Sequence, residues 1–547
     1  MSQPSDEHAI SIGLFDYIVI GGGSAGCVVA HRLSKGAKQR VLLLEAGSKN
    51  RNPLFRIPLT GPALGVGHKR FDWGYKTEAD NSRFGQQDSW PRGKMLGGSG
   101  RLNGMVYVRG AKVDYDGWAA SGCHGWAWAD VKPYFEKSEQ LNPSDSVHGD
   151  KGPLLLTRLR HPHPLSHAFI RAHSELGVTH NPNYNDGEQS GASILVSSNS
   201  GRLRSSADIS YAKALGSCTS LVTQTNATVQ KIVFENRRAV GVSGILNGRA
   251  FVANAHKEII LCAGTIGTSE ILMRSGIGNA AHLNALDINV IHDQPAVGRN
   301  LHEHPAVQMI IGSKTPTIGQ EYMPWHAVQH GYNWLVKGGG LLSAASYEAL
   351  SFVRSEASQK HPDIQMHFAP YALDRKKGRL TPVLNDSFMI QVNASYPVSR
   401  GSIELKPTRT GLKPSIHHKM FGNSTDLKCL RKGVQFAMRL LRTEEMSAHT
   451  DALVVPQGEI ETDESLDEQI RRHAVPAYHP AGTAKMGTGA DAVVGPDLRV
   501  HGVKGLRVAD ASIIPSPISG NINACVTMIG EKAADMILAN TVMEQAA

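Results

Sequence analysis

The chain has 547 residues, 41% of them hydrophobic and 19% charged, an ordinary globular composition with room for about two to four average domains. Lys and Arg outnumber Asp and Glu by 57 to 48, but no dense basic block is interleaved with aromatics; this argues against nucleic acid and leaves open a weak attraction to anionic lipid or substrate. The six cysteines are scattered without a C-x-x-C pair, which argues against a thiolate zinc site and a disulfide framework, and no apolar run reaches membrane-spanning length. The polar start MSQPSDEH lacks a basic segment followed by an apolar one, so a soluble, cytoplasmic protein is the simplest expectation, with disorder over Met1 to Ile10 and from Val542 to Ala547.

Tyr17-Ile18-Val19-Ile20 is too short for a helix and rich in β-branched residues, as a strand buried on both faces would be. It runs into Gly21-Gly22-Gly23-Ser24-Ala25-Gly26, which fits G-x-G-x-x-G. A helix-compatible segment from Cys27 to Ser34 follows, and a second apolar run, Val41 to Leu44, closes on Glu45. Gly21 permits the tight turn, Gly23 leaves the backbone open to a pyrophosphate, and Gly26 lets helix pack on strand. The helix start offers unpaired N–H groups, and Glu45 stands where a carboxylate accepts from ribose hydroxyls. Strand, glycines, helix, strand and acid predict a dinucleotide site; the motif alone does not choose between FAD and NAD.

A glycine-dense stretch, Trp90 to Gly104, cannot be a regular strand or a stable helix at its start and is expected to approach a flat ligand, with a more regular segment over Asn103 to Arg109. Its sequence, PRGKMLGGSGRLNGMVYVRG, resembles the first signature of the glucose–methanol–choline (GMC) flavin oxidoreductase family. Gly264 to Gly278, after the apolar run Glu258 to Ala263, resembles the second signature, and Gly505 to Ile537 the closing segment. The resemblance implies an α/β fold: a Rossmann-like FAD-binding domain with a discontinuous substrate domain built on an antiparallel sheet. On this pattern residues 1–160, 201–313 and 463–547 would form the FAD-binding part, and 161–200 with 314–462 the substrate part.

Between the signatures, Val222 to Val242 alternates as half-exposed strands do, with Val229 near a strand end where the family's valine backbone meets adenine. Asn300-Leu301-His302-Glu303-His304-Pro305 offers two histidines around a carboxylate, yet the family has a structural Asn-Leu-x-Asp-His-Pro there, so no metal is expected. Strand-like runs at Ile364 to Phe368 and Phe388 to Val392 alternate with a helical one, Leu430 to Leu441.

Alcohol oxidation by a flavin needs a proton acceptor and a hydrogen-bond donor beside it; neutral imidazole and carboxamide suit those tasks. By resemblance, His479 in Tyr478-His479-Pro480 is the base and Asn521, directly after Ser519-Gly520, is its partner, while His473 lies outside the motif. FAD would be held by Gly21, Gly23, Ser24, Ala25, Gly26, Glu45, Ala46, Gly97, Gly98, Asn103, Gly104, Val106, Val229, Ala263, Gly264, Asp510, Ala511 and Asn523. Two departures stand out. Gly100 replaces the second serine of Gly-Gly-Ser-Ser, which is expected to loosen the loop. Leu102 stands where some choline-oxidising relatives have a histidine bonded to FAD, so FAD is expected to be non-covalent. The implied activity is oxidation of a primary alcohol to an aldehyde, with electrons passing to a quinone or another non-oxygen carrier. The alternatives are an oxidase producing hydrogen peroxide and a non-redox lyase of the same family.

Overall fold

The computed structural model describes residues 9–546 except 143–144, 160, 217, 323, 338–339, 377–378 and 457–461. The opening strand, Ile10–Ile20, starts earlier than the apolar run suggests and includes Ile10; residues 1–8 lie outside the described set. It pairs in parallel with Val41–Glu45 on one side and Arg249–Leu261 on the other. Val41–Glu45 pairs in turn with Leu221–Thr225, and Leu506–Val508 adds to Arg249–Leu261, both in parallel. The strands Ala227–Glu235 and Arg238–Leu246 continue the sheet as an antiparallel meander. Val229 lies near the start of its strand, beside a register shift. The helix Ser24–Ser34 and the closing helix Asn523–Ala546 pack on each other against this sheet, where Val28, Val29, Ile529 and Ala533 are fully buried. The disorder expected from Val542 is therefore not found, because the closing helix continues through that segment.

A second sheet is antiparallel throughout, in the order Thr450–Val455, Pro305–Ser313, Ser387–Ala394, Ile364–Ala369, Ala349–Val353, Gly191–Ile194; Ala474–Pro476 also pairs with Pro305–Ser313. Alternate side chains of its central strands point to opposite faces. Val307, Met309, Met366, Phe368, Ile390 and Val392 pack with Phe169, Leu430 and Val434 of the helices Pro164–Glu175 and Ser424–Leu440. Gln308, His367, Met389 and Gln391 face the other way, into a cavity. Because Pro305–Ser313 is in continuous register with Ser387–Ala394, sheet membership moves the boundary placed at residue 313 to the start of that strand, and it puts Ala474–Pro476 on the second sheet as well.

The glycine-dense stretch is a loop with one short 3-10 turn, Gly98–Arg101. No regular element follows over 103–109, only a bridge from Val106 to Ser197, so the regularity expected there is not found. Tyr107 and Val108 are instead fixed by burial in the main core. No helix among the described residues is long and apolar enough to cross a membrane.

Candidate active site and cofactor cradle

A cavity of about 670 Å³ runs from the carboxyl ends of the parallel strands to the polar face of the second sheet. Ligands of open α/β sheets sit at such strand ends. At one end it is walled by Gly21, Gly23, Ser24, Ala25, Glu45 and Ala46, and at the other by His479 and Asn521. Gly98, Asn103, Gly104, Val106, Val229, Ala263, Gly264, Asp510, Ala511 and Asn523 line it between. Two expected residues do not line it. Gly26 is close to the strand, where an added Cβ would come 1.9 Å from the Gly21 carbonyl oxygen. Gly97, at φ +93°, donates its N–H to the Gly22 carbonyl at 2.7 Å and so docks the second glycine loop on the first. That loop is tight rather than loosened: a Cβ at Gly100 would sit 3.1 Å from Ser24 Oγ.

The residues present fit FAD. An added Cβ at Gly23 would meet nothing within 4 Å, so bare backbone is open to a flat or phosphate-bearing group. The helix Ser24–Ser34 has no side-chain cap, which leaves its first N–H groups available to an anion. Glu45 is held by the Gly22 N–H at 2.9 Å and the Gly47 N–H at 2.7 Å, one on each carboxylate oxygen, with a second lone pair on each unused. Burial pushes its pKa up to about 7 despite these two donors. Asp510 accepts from Gly264 N–H, Thr268 Oγ1, Ser512 N–H and Ser512 Oγ, four internal bonds that tie the second helix start to the turn after Leu506–Val508.

At the far end the side chains form one directional chain. Asn393 Nδ2 donates to His367 Nδ1 at 3.2 Å, so the His367 proton is on Nε2 and goes to Asn521 Oδ1, also at 3.2 Å. Asn521 Nδ2 then donates to His479 Nε2 at 3.1 Å, which leaves that nitrogen bare and the ring proton on Nδ1. His479 Nδ1 donates to His304 Nδ1 at 3.0 Å, and His304 Nε2 donates to the Ile518 carbonyl at 3.0 Å. Every member is satisfied in one direction only.

Burial, then the neighbouring His304, His367 and Arg92, keep the His479 pKa well below the usual histidine range. Tyr478 holds the left-handed conformation at φ +68°, uncommon for a non-glycine residue, and its carbonyl accepts from Arg92 Nη2 at 2.8 Å. This aims the next residue into the cavity. Glu303 Oε1 accepts the backbone N–H of His304 at 2.9 Å and of His479 at 2.8 Å, clamping the two imidazoles' backbones together. Burial raises the Glu303 pKa to about 8 against the pull of its two backbone donors and Arg92, which disfavours a charge beside the base. His302 turns away to the Asn300 carbonyl, while potential ligand atoms of Glu303, His304 and His479 lie within 4.8 Å of one another. Both nitrogens of His304 are already engaged, which favours a hydrogen-bond cluster over a metal site. His473 ends the helix Asp463–His473 and does not line the cavity.

Glu303, His304, His367 and Arg92 were not among the expected site residues. The polar His in the apolar run Ile364 to Phe368 was the available signal for His367; nothing local marks His304 as the partner of His479.

Two GMC oxidoreductase family models match the chain, the N-terminal one over residues 15–306 and the C-terminal one over 397–530. The chain belongs to the GMC oxidoreductase family. It is an FAD-dependent oxidoreductase. Similar curated proteins include the oxygen-dependent choline dehydrogenases of Sinorhizobium fredii, 38% identical over 527 residues (96% of this chain and 95% of the relative), and Brucella suis biovar 1, 37% identical over 532 residues (96% of each). Among solved structures, pyridoxine 4-oxidase from Mesorbium loti has a TM-score of 0.85 at 27% identity, covering 95% of this chain and 98% of that one. Formate oxidase from Aspergillus oryzae RIB40 has a TM-score of 0.90 at 26% identity, covering 97% and 99%.

Proposed function

We propose that this GMC enzyme oxidises a neutral primary alcohol to an aldehyde, with His479 as the base and Asn521 as its hydrogen-bonding partner. The observation that carries this reading is the bare Nε2 of His479 on the cavity wall, 3.1 Å from the Asn521 amide. A substrate hydroxyl placed between the two side chains displaces their mutual hydrogen bond and gives its proton to Nε2, while Asn521 Nδ2, so released, donates to the oxygen as charge develops on it. FAD, when bound, would supply the acceptor for the hydride lost from the carbinol carbon, so that a hydride and the hydroxyl proton, together two electrons and two protons, leave the alcohol as the C=O bond forms. The residues expected to hold FAD, all but Gly26 and Gly97, line the intervening cavity, and Leu102 in its wall offers no nucleophile, which supports non-covalent binding. We assign the first sheet to FAD binding and the second to substrate choice.

The lining favours a neutral substrate over choline itself. Around His479 and Asn521 stand Gln308, Tyr347, His367, Leu373, Met389 and Gln391, none of them a carboxylate. The acids in the lining are Glu45, Glu270 and Asp510, each engaged elsewhere, the second by Arg274 at 2.8 Å. Tyr347 Oη and Gln308 Nε2 donate to Gln391 Oε1 at 2.7 and 3.0 Å, an amide cluster suited to hydroxyl and carbonyl partners. A quaternary ammonium ion would find no counter-charge there.

The electron acceptor we propose is a quinone or another non-oxygen carrier. Alcohols screened in parallel with an artificial acceptor and with oxygen test both parts. Neutral primary alcohols should exceed choline in kcat/KM by about tenfold or more, the return expected from matched against unmatched buried polar groups. Rapid aerobic reoxidation with stoichiometric hydrogen peroxide would instead identify an oxidase.

A further inference from the structure

The helix Ala327–Leu335 is built inside out for a water-facing element. Its inner side holds His330, which bonds the Glu321 carbonyl at 2.7 Å, and Trp334, which donates to the Arg202 carbonyl at 3.2 Å. Its outer side carries Val328, Tyr332 and Leu335, at 83%, 55% and 62% exposure, flanked by Trp325 at 70% and Val336 at 65%. A surface helix normally turns such a stripe to the core.

The surroundings are basic. Arg202 stacks over Trp334 and donates to the Leu335 carbonyl at 3.1 Å. Arg204, two residues on, donates to the Pro58 carbonyl at 2.9 Å, joining this helix to the segment before the short helix Thr60–Gly65. That segment exposes Leu54 and the short helix exposes Leu64, and Arg51, Arg56, Lys69 and Arg70, close to them in the sequence, are exposed as well. The sequence has no Asp or Glu over residues 46–71, 189–207 or 322–347, the stretches in which these apolar and basic residues fall. Pro62 of the short helix and Val66, the residue that follows it, also form part of the cavity wall.

We propose that this face docks on the surface of an anionic phospholipid bilayer. Trp325 and Tyr332 would lie at headgroup depth, Val328, Leu335 and Val336 would insert, and the basic side chains would meet lipid phosphates. A second copy of the chain fits less well, since two such faces would bring like charges together. Docking places the wall of the cavity beside the bilayer, so that a lipid-dissolved alcohol or quinone reaches it without crossing water. The surface stands independently of which alcohol is oxidised.

The test uses the full-length holoenzyme in flotation with vesicles of phosphatidylcholine alone, or with about one-third phosphatidylglycerol, at low salt and at about 0.5 M salt. Flotation is expected with the anionic vesicles at low salt, weakening with salt, and little with phosphatidylcholine. Val328→Glu with Leu335→Glu should lower partitioning by about tenfold or more, and so should Arg51→Glu with Lys69→Glu, each retaining FAD and turnover with a soluble acceptor. The two pairs lie on different segments, so a folding defect in one leaves the other informative. No flotation with anionic vesicles, or flotation unchanged in either pair, overturns the proposal. So does a wild-type dimer in light scattering that Val328→Glu with Leu335→Glu converts to monomer.

Discussion

His304 and His479 face each other Nδ1 to Nδ1 across 3.0 Å, so one of these nitrogens must carry hydrogen and the other must not. The Ile518 carbonyl decides which, because it can only accept and thereby places the His304 proton on Nε2. His479 is left with its proton on Nδ1 and its lone pair on Nε2, where it accepts from Asn521 at the cavity wall. A residue 175 positions away in sequence thus sets the tautomer of the base.

Removing that control gives the first expected outcome. In His304→Ala the His479 ring is free to adopt the other tautomer, and anaerobic flavin reduction by alcohol should slow by about 10- to 100-fold with FAD retained, within the range a positioned base contributes. Combined with His479→Ala the loss should not grow, since both act on one proton transfer. Additive losses in stopped-flow reduction would separate the two residues.

A second outcome concerns pH. His479 is held well below the ordinary histidine value of 6.5 by burial, His304, His367 and Arg92. Its basic form is therefore fully populated at and above that value and is lost only in acid. The flavin-reduction rate should be level between about pH 6 and 8. A profile that is half-maximal near 6.5 or higher would show an unshifted base.

Glu45 provides a third. Its folded value of about 7, raised by burial, means that the carboxylate able to accept from ribose hydroxyls is lost as pH falls through 7. FAD affinity of the apoprotein should fall with it, by up to about tenfold per pH unit. Glu45→Ala should weaken FAD binding about 10- to 100-fold at pH 8, equivalent to one or two hydrogen bonds to a charged group, and abolish the pH dependence. Fluorescence titration of apoprotein with FAD checks both; unchanged affinity would make Glu45 a strand-end carboxylate only.

The parts of this molecule legible in the sequence are those set by local sterics. Gly21, Gly23 and Gly26 announce a turn because no other residue fits three such demands in six positions, and Tyr17 to Ile20 and Val41 to Leu44 announce buried strands. His304 was illegible as a partner of His479 because nothing local reports a contact across two segments of the chain. The polar faces of Gln308, His367 and Gln391 were hidden for a related reason: their strands are buried on both sides, so apolar content marked them as core while period-two alternation placed amides on the cavity. Around Val542 the position at the tail suggested a disordered end, but the helix beginning at Asn523 continues through it to Ala546.

The most direct test of the account is flavin reduction by alcohol in His479→Ala under anaerobic stopped flow, with Asn521→Ala and His473→Ala alongside. His479→Ala should keep FAD and its spectrum and lose about 10²- to 10⁴-fold in reduction rate, partly recovered at high pH where alkoxide forms without a base. Asn521→Ala should lose about 10- to 10³-fold, one hydrogen bond to developing charge, and His473→Ala should change little. Reduction at the wild-type rate in His479→Ala, or its loss in His473→Ala, would contradict the assignment of the base.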